Sequence, residues 1–250
     1  MEISIAPVAY IKSETKTTDQ MPFHGVTSKI VLEPGFVDGL KNIELNSHLW
    51  VLCWFHESRR DLLISSPKRI NPDCDEYGVF ALRTPSRPNP IALTLVKLLQ
   101  VEGDVLTVSG LDGIDGTPIL DIKPYFEKDI IFAPMTPYIR PSREHERWKL
   151  FYELAVNHYG QDCEELCVAV EMALYAEDRL GRLTDTELAV DIKGSACLVD
   201  VMQALTRARL GERGRFVFEI SSDACEVTWK RGMETLTTYG RDFVENARKR

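Results

Sequence analysis

The chain has 250 residues, of which 44% are hydrophobic and 27% charged, a composition typical of globular domains. This length can bury a core without disulfide bonds, and the composition excludes collagen, coiled-coil and disordered classes. The net charge of −8 excludes a basic nucleic-acid-binding module by overall composition, so RNA binding would need a local basic cluster.

Neither a membrane span nor a secretory signal is predicted. The longest apolar runs, such as residues 49–55, are far shorter than the roughly 20 residues that cross a bilayer. Glu2 stands where a signal peptide carries positive charge. The six cysteines are too sparse for a secreted disulfide framework. We therefore expect a cytoplasmic protein without membrane association and with reduced thiols.

The first 125 residues are predicted to form mainly short strands. Segments rich in Val, Ile, Leu and aromatic residues are separated by Gly, Pro and Asp at 3–11, 28–32, 49–55, 78–81, 91–99 and 105–111. A short helix or turn is expected at 34–40. Because helices do not alternate with these strands, the pattern favours a small antiparallel β-barrel over a doubly wound βαβ fold.

A proline-punctuated connector follows, and the periodicity then changes. Pro134, Pro137 and Pro141 interrupt regular structure. Beyond them, the spacing predicts helices at 148–155, 167–180 and 197–208 and strands at 188–192, 216–220 and 227–230. We therefore predict an α+β protein with a β-barrel domain at 1–140 and an α+β C-terminal domain at 147–250.

Two motifs carry most of the chemistry, and the first runs from residue 78 to 91. It presents Arg83 and Arg87 on a loop that three prolines stiffen. Guanidinium groups in such a loop suit bidentate binding of a carboxylate or phosphate. The alternative is a turn whose arginines pair with nearby carboxylates such as Asp75 and Glu76.

The second motif, residues 111–125, contains an Asp-Gly pair that by itself predicts only a tight turn between strands. After the turn, Asp121, Lys123 and Tyr125 recur at strand period and therefore share one face. An acid, a base and a phenol in a row suit the wall of a site better than a core. We take these three as candidate catalytic residues. A further titratable pair, His56–Glu57, ends an apolar strand, where a histidine is more often a hydrogen-bonding plug.

Together these motifs resemble those of the tRNA methyltransferase O family of S-adenosylmethionine-dependent enzymes. The resemblance extends through 7–11, 47–52 and 55–56 and covers about residues 1–140. Ala9 departs from the family's usual glycine, and Thr84 from its usual Ser or Ala. The resemblance implies that S-adenosylmethionine binds to a small β-barrel in a homodimer, near the boundary between the two copies. This agrees with the absence of a GxGxxG motif.

The resemblance also implies roles for individual residues. Those that would contact the methyl donor are Phe23, His24, Gly25, His56, Glu57, Arg83, Leu93, Asp115, Gly116, Thr117 and Pro118. The donor's carboxylate would bind an arginine or the backbone N–H groups of the Asp-Gly turn. The implied reaction is methyl transfer to the exocyclic nitrogen of threonylcarbamoyl-adenosine beside the tRNA anticodon. Asp121, Lys123 and Tyr125 would remove the acceptor's proton or polarise its carbamoyl oxygen.

Because the chain is acidic, the sequence does not decide which molecule accepts the methyl group. Binding of the tRNA anticodon stem-loop requires several basic residues. The candidates are Arg59, Arg60, Lys68, Arg69, Arg83 and Arg87. A small-molecule acceptor therefore stays an alternative partner.

The C-terminal part adds a second resemblance. Residues 194–206 and 211–216 resemble the E-like domain of the formylmethanofuran dehydrogenase family, over about 147–230. In that family a cysteine at the place of Cys197 can bind a metal together with an upstream His/Cys pair. His158 and Cys163 match that pair poorly, so we predict no metal site here. Two alternatives remain: a methyltransferase whose C-terminal domain selects a small molecule, and a non-catalytic module that senses the donor or a metal.

Overall fold

The computed structural model describes residues 3–212 and 214–250. The chain divides into two compact units. The first unit contains Met1–Ser66 and Asp75–Ile130, and the second contains Pro67–Cys74 and Ile131–Arg250. The short segment Pro67–Cys74 thus belongs with the C-terminal unit, although the residues on both sides of it belong to the first.

The described residues of the first unit form eight strands. They are β1 (Ala9–Lys12), β2 (Val26–Leu32), β3 (His48–Trp54), β4 (Ile64–Ser65), β5 (Tyr77–Gly78), β6 (Ile91–Glu102), β7 (Val105–Leu111) and β8 (Pro118–Pro124). Six of them close into an antiparallel barrel in the order β1-β2-β7-β6-β3-β8, and β4 pairs with β5. Residues such as Ile11, Ile30 and Val51 fill the barrel interior, while their sequence neighbours face outward. The predicted antiparallel barrel is confirmed.

Two predicted strands differ in the structure. The first begins at Ala9 rather than at residue 3, because Pro7 has no N–H to donate and ladder pairing starts only with Val8. The segment predicted at 78–81 is instead a 3₁₀ turn, Val79–Ala81, after β5. The carbonyl of Val79 in that turn accepts a hydrogen bond from Arg87 instead of joining a ladder. The expected short helix is present as a 3₁₀ helix, Pro34–Leu40.

The second unit is an α+β assembly, as predicted. Its helices are α1 (Glu144–Tyr159), α2 (Glu164–Leu180), α3 (Ala196–Thr206) and α4 (Val244–Ala247). Its strands β9 (Leu188–Gly194), β10 (Phe216–Ile220), β11 (Glu226–Arg231) and β12 (Glu234–Tyr239) form a sheet in the order β10-β9-β11-β12. The core includes Met172 of α2 and Trp229 of β11, both fully buried. None of the described helices combines the length and apolarity needed to cross a bilayer.

Candidate functional site

The predicted catalytic residues lie on the outer surface of the barrel, where β8, β3 and β6 are neighbours. On β3, the outward residues His48, Trp50 and Leu52 alternate with the buried residues Leu49, Val51 and Cys53. Cross-strand pairing places two rows side by side, Leu93–Leu52–Asp121 and Leu95–Trp50–Lys123. We call these six residues the β6–β3–β8 face. The register therefore brings Leu93, predicted to contact the donor, onto the face that carries Asp121 and Lys123.

Asp121 and Lys123 belong to this face, and Tyr125 follows β8 on the same side, as the strand period predicts. Lys123 Nζ is 2.5 Å from Asp121 Oδ2, and both side chains are about half exposed. The Tyr125 ring is 5.8 Å from the ring of Trp50, which lies opposite Lys123. Exposed ion pairs contribute only about 0–1 kcal/mol, so a substrate can compete for either partner.

His48 extends the same face and was not among the predicted site residues. Its ring lies 6.5 Å from that of Tyr125, and its Nδ1 is 2.9 Å from Ser47 Oγ. Partial burial, and then the charge of Lys97, lower the pKa of His48. A neutral imidazole can accept a proton near pH 7. In the sequence, residues 48, 50 and 52 alternate with apolar residues, and this alternation could have placed His48 on the outer face.

A largely apolar groove of about 440 Å³, which we call the Trp54 groove, lies beside this face, and both sequence motifs line it. Asn89 and Ile91 come from the first motif, and Pro118 and Leu120 from the second. Trp54, which pairs with Ile91, lies between them. An indole flanked by aliphatic side chains suits the flat, partly apolar ring of a nucleobase.

The two arginines of the first motif have different environments. The Arg87 guanidinium donates hydrogen bonds to three carbonyls of its own loop, those of Val79, Leu82 and Thr84. Arg83 is exposed and, within the described residues, makes no hydrogen bond or ion pair. The alternative pairing with Asp75 and Glu76 is not seen for either arginine there. Arg83 is thus available to bind an anion, whereas Arg87 stabilises the loop.

The backbone N–H groups and the carboxylate of the Asp-Gly turn already have hydrogen-bond partners within the protein. The N–H groups of Asp115, Gly116 and Thr117 donate to the carbonyls of Thr15, Ile11 and Ile114 at 2.9, 2.8 and 3.1 Å. The Asp115 carboxylate accepts from Ser13 N–H (3.0 Å) and Lys16 Nζ (2.9 Å), and these two contacts lower the pKa of Asp115. These N–H groups are therefore not open to a carboxylate, which leaves the arginine alternative for the donor.

The remaining predicted donor contacts are spread over nearby loops of the barrel. Phe23 is half exposed, and its ring meets that of His24 edge-on at 5.2 Å. Gly25 has a φ of +70°, and a Cβ there would lie 2.6 Å from the Gly110 carbonyl, so only glycine fits. His56 and Glu57 are exposed directly after β3, with 3.9 Å between Nε2 and Oε1.

Pro118 and Asp115 line different grooves. Pro118 lines the Trp54 groove, whereas Asp115 lines a second groove with three lysines. The predicted donor contacts of the turn are therefore divided between two surfaces. Gly116, with a φ of +75°, lies at the bend between them.

The second unit holds a close pair of thiols. Cys163 Sγ and Cys197 Sγ are 3.5 Å apart, at the N-terminal ends of α2 and α3. Burial, and then the Cys163 thiol, raise the pKa of Cys197. His158 instead lies near Phe132, with 6.4 Å between ring centroids. Across residues 3–212 and 214–250, no three His, Cys, Asp or Glu side chains are grouped to hold a metal ion.

Comparison with known proteins finds relatives of the barrel domain and of the whole chain. Residues 10–129 match the tRNA-methyltransferase O N-terminal domain. A probable S-adenosyl-L-methionine-binding protein of Archaeoglobus fulgidus is 32% identical over 260 residues, covering all of this chain and 70% of that protein. A human tRNA (adenine(37)-N6)-methyltransferase is 45% identical over 113 residues, 42% of this chain and 25% of that protein. The crystal structure of TrmO from Pseudomonas aeruginosa is 28% identical, with a TM-score of 0.45, over 61% of this chain and 74% of that one.

Proposed function

The chain belongs to the tRNA-methyltransferase O family of S-adenosylmethionine-dependent methyltransferases, and we propose that it methylates tRNA. The proposed acceptor is the exocyclic N6 nitrogen of threonylcarbamoyl-adenosine beside the anticodon. The observation that carries this proposal is the meeting of both motifs at the Trp54 groove, next to Asp121 and Lys123. A groove for the donor's adenine ring and a row of proton-transfer groups for the acceptor then lie on one side of the barrel.

The residues of the barrel fit the methyl donor. The Trp54 groove suits its adenine ring, and the unpaired Arg83 guanidinium suits its carboxylate. We place Leu93 and Pro118 at the same site because both border this groove or the face beside it. When bound, the donor supplies a methyl group on a positively charged sulfur.

The candidate catalytic residues would act on the acceptor. Methyl transfer is an in-line displacement, so alignment supplies much of the rate acceleration. The acceptor nitrogen must also lose a proton, and Asp121, Lys123 and Tyr125 would remove it or polarise the carbamoyl oxygen. The exposure of the Asp121–Lys123 pair supports this role, because an incoming nucleoside can reach both groups.

A homodimer is part of the proposal. Ile91, Leu93 and Leu95 of β6 are 38–45% exposed, which leaves a row of three aliphatic side chains that ends at the exposed Lys97. Such a contiguous apolar surface typically marks an interaction site. We propose that a second copy of the chain covers β6. The donor site would then lie near the boundary between the two copies.

A cytoplasmic location is also part of the proposal. The reaction needs tRNA and S-adenosylmethionine in one compartment. All six cysteines are free, which supports a reducing environment.

A small-molecule acceptor is the second candidate. The net charge of −8 favours it over a polyanion. Part of the basic cluster is also engaged, since Arg59 pairs with Asp61 at 2.7 Å and Arg60 lies 5.0 Å over the Trp54 ring. The C-terminal domain would then select the acceptor. A donor-sensing module without turnover is the candidate from another class.

One experiment separates these functions. The purified protein is incubated with S-adenosylmethionine and with tRNA carrying unmethylated threonylcarbamoyl-adenosine, and the nucleosides are analysed by mass spectrometry. We expect the methylated nucleoside. Donor binding without tRNA methylation would contradict the proposal and favour the small-molecule acceptor or the sensor.

A further inference from the structure

A second groove, of about 480 Å³, lies on the barrel strands β1, β2 and β7. Lys12 pairs directly with Lys29, and Lys29 pairs with Thr107, so the three residues form one cross-strand row. Ile11 and Ile30, which precede Lys12 and follow Lys29, are fully buried in the barrel. The two lysine side chains therefore point outward, and both line the groove.

The two lysines of this row border a groove in which only one of the described carboxylates, that of Glu14, is not already paired. Like charges directly opposite each other in an antiparallel pair are destabilising. Within the described part of the chain, neither Lys12 nor Lys29 is within ion-pair distance of a carboxylate, although the charge of Lys12 helps to lower the pKa of Asp115. Of the two acidic residues that line the groove, Asp115 is already bound by Lys16 at 2.9 Å, and Glu14 is exposed. An anion between Lys12 and Lys29 would relieve their repulsion.

Hydroxyl groups complete the lining. Ser13, Thr27, Ser28 and Thr107 all border the groove. Of these residues, Thr107 pairs with Lys29 on the outward face, whereas Ser28 is 4% exposed and shares the inward face of Ile30. Lysine ammonium groups and hydroxyls are among the side chains that bind phosphate oxygens of nucleic acids without reading sequence.

We propose that this groove binds backbone phosphates of the RNA substrate. The proposal rests on the proposed function, because it takes the ligand to be tRNA. The Asp-Gly turn contributes Asp115 to this groove and Pro118 to the Trp54 groove. RNA held by Lys12 and Lys29 is therefore anchored beside the turn that borders the donor site.

The test is the affinity of tRNA at several salt concentrations, measured by filter binding. The variant is the double substitution Lys12→Gln and Lys29→Gln. Removing two phosphate contacts should reduce the slope of log K against log salt by about 1.4–1.8 and weaken binding roughly tenfold or more at low salt. The affinity for S-adenosylmethionine should stay unchanged.

The matched control removes the same charge elsewhere. Lys41 and Lys230 are exposed lysines outside the groove, and Lys41→Gln with Lys230→Gln should leave the salt slope unchanged. A second variant, Lys12→Arg with Lys29→Arg, keeps the charge and should keep the affinity. Thermal melting checks that each variant is folded.

The outcomes separate the two proposals. If the glutamine variant binds tRNA as the control does, the groove proposal is overturned. If the wild type binds tRNA with a Lys12- and Lys29-dependent salt slope but does not methylate it, the groove stands and the proposed function fails. If the wild type does not bind tRNA at all, both fail, and binding of inorganic phosphate alone would identify a small-anion site.

Discussion

Arg83 and Arg87 are four residues apart in one loop, yet only one of them is free to bind a ligand. Arg87 holds three carbonyls of the loop, which accounts for its position without any ligand. Arg83 holds none within the described residues. Sequence alone could not separate them, because the convergence of the carbonyls on Arg87 exists only after the loop has folded.

The first prediction concerns this pair. Arg83→Ala should weaken S-adenosylmethionine binding about 10- to 100-fold, because a charge-assisted hydrogen bond contributes about 1.5–3 kcal/mol. The melting temperature should stay the same. Arg87→Ala should instead lower the melting temperature, since three carbonyls lose their donor. Calorimetry and thermal melting measure the two effects, and equal donor affinity of wild type and Arg83→Ala would refute the assignment.

The second prediction concerns Asp121. Asp121→Asn should lower the single-turnover rate of methyl transfer at least tenfold with unchanged donor affinity, because general acid–base catalysis contributes about 10²–10⁴-fold. Asp104→Asn, which removes an exposed carboxylate in the turn between β6 and β7, serves as control. An unchanged single-turnover rate for Asp121→Asn would remove it from this role.

At the level of elements, the barrel was largely predictable because its strands alternate buried and exposed residues. The β7 segment matches its prediction. In the second unit, β12 was not predicted, because its sequence, Glu234–Tyr239, is mostly polar and only Thr238 is buried. The cross-strand row that joins Leu93 to Asp121 was also not predictable. It depends on the register of β3 against both neighbours, which local periodicity does not set.

The third prediction concerns α2 and α3, whose N-terminal ends hold Cys163 and Cys197. Mild oxidation with hydrogen peroxide should link these thiols, with loss of two hydrogens from the protein and reduction of the peroxide to water. Because burial raises the pKa of Cys197, the reaction should be slow at neutral pH and faster as the pH rises.

Mass spectrometry of peptides after blocking free thiols identifies the link. Cys53 is the internal control, because burial raises the pKa of its thiol and it is fully buried in the barrel. Cys197→Ser should abolish the cross-link. A disulfide that joins any other pair would contradict the prediction.

At the level of the whole molecule, charge and surface apolarity point to different partners. The net charge of −8 opposes nonspecific RNA binding, so the proposed RNA binding relies on local clusters such as Lys12 and Lys29. The exposed aliphatic row on β6 instead favours a second protein copy. The net charge follows from composition alone, whereas the aliphatic row on β6 is formed only when the barrel folds.

The fourth prediction concerns this association. Leu95→Glu places a charge on the β6 row and should shift the protein from dimer to monomer in sedimentation velocity experiments. Val217→Glu is the control, since Val217 is exposed to a similar degree on β10. A monomeric wild type, or a dimer indifferent to Leu95→Glu, would contradict the proposed interface.

We propose that the two sequence motifs of the barrel bind one donor molecule at the Trp54 groove. The most direct test is a crystal structure with S-adenosylhomocysteine, the demethylated product of the donor. We predict its adenine against Trp54 and Ile91, and its carboxylate within hydrogen-bond distance of Arg83. Electron density for the product in the groove of Lys12 and Lys29 or in the C-terminal unit, with the Trp54 groove empty, would contradict this donor site.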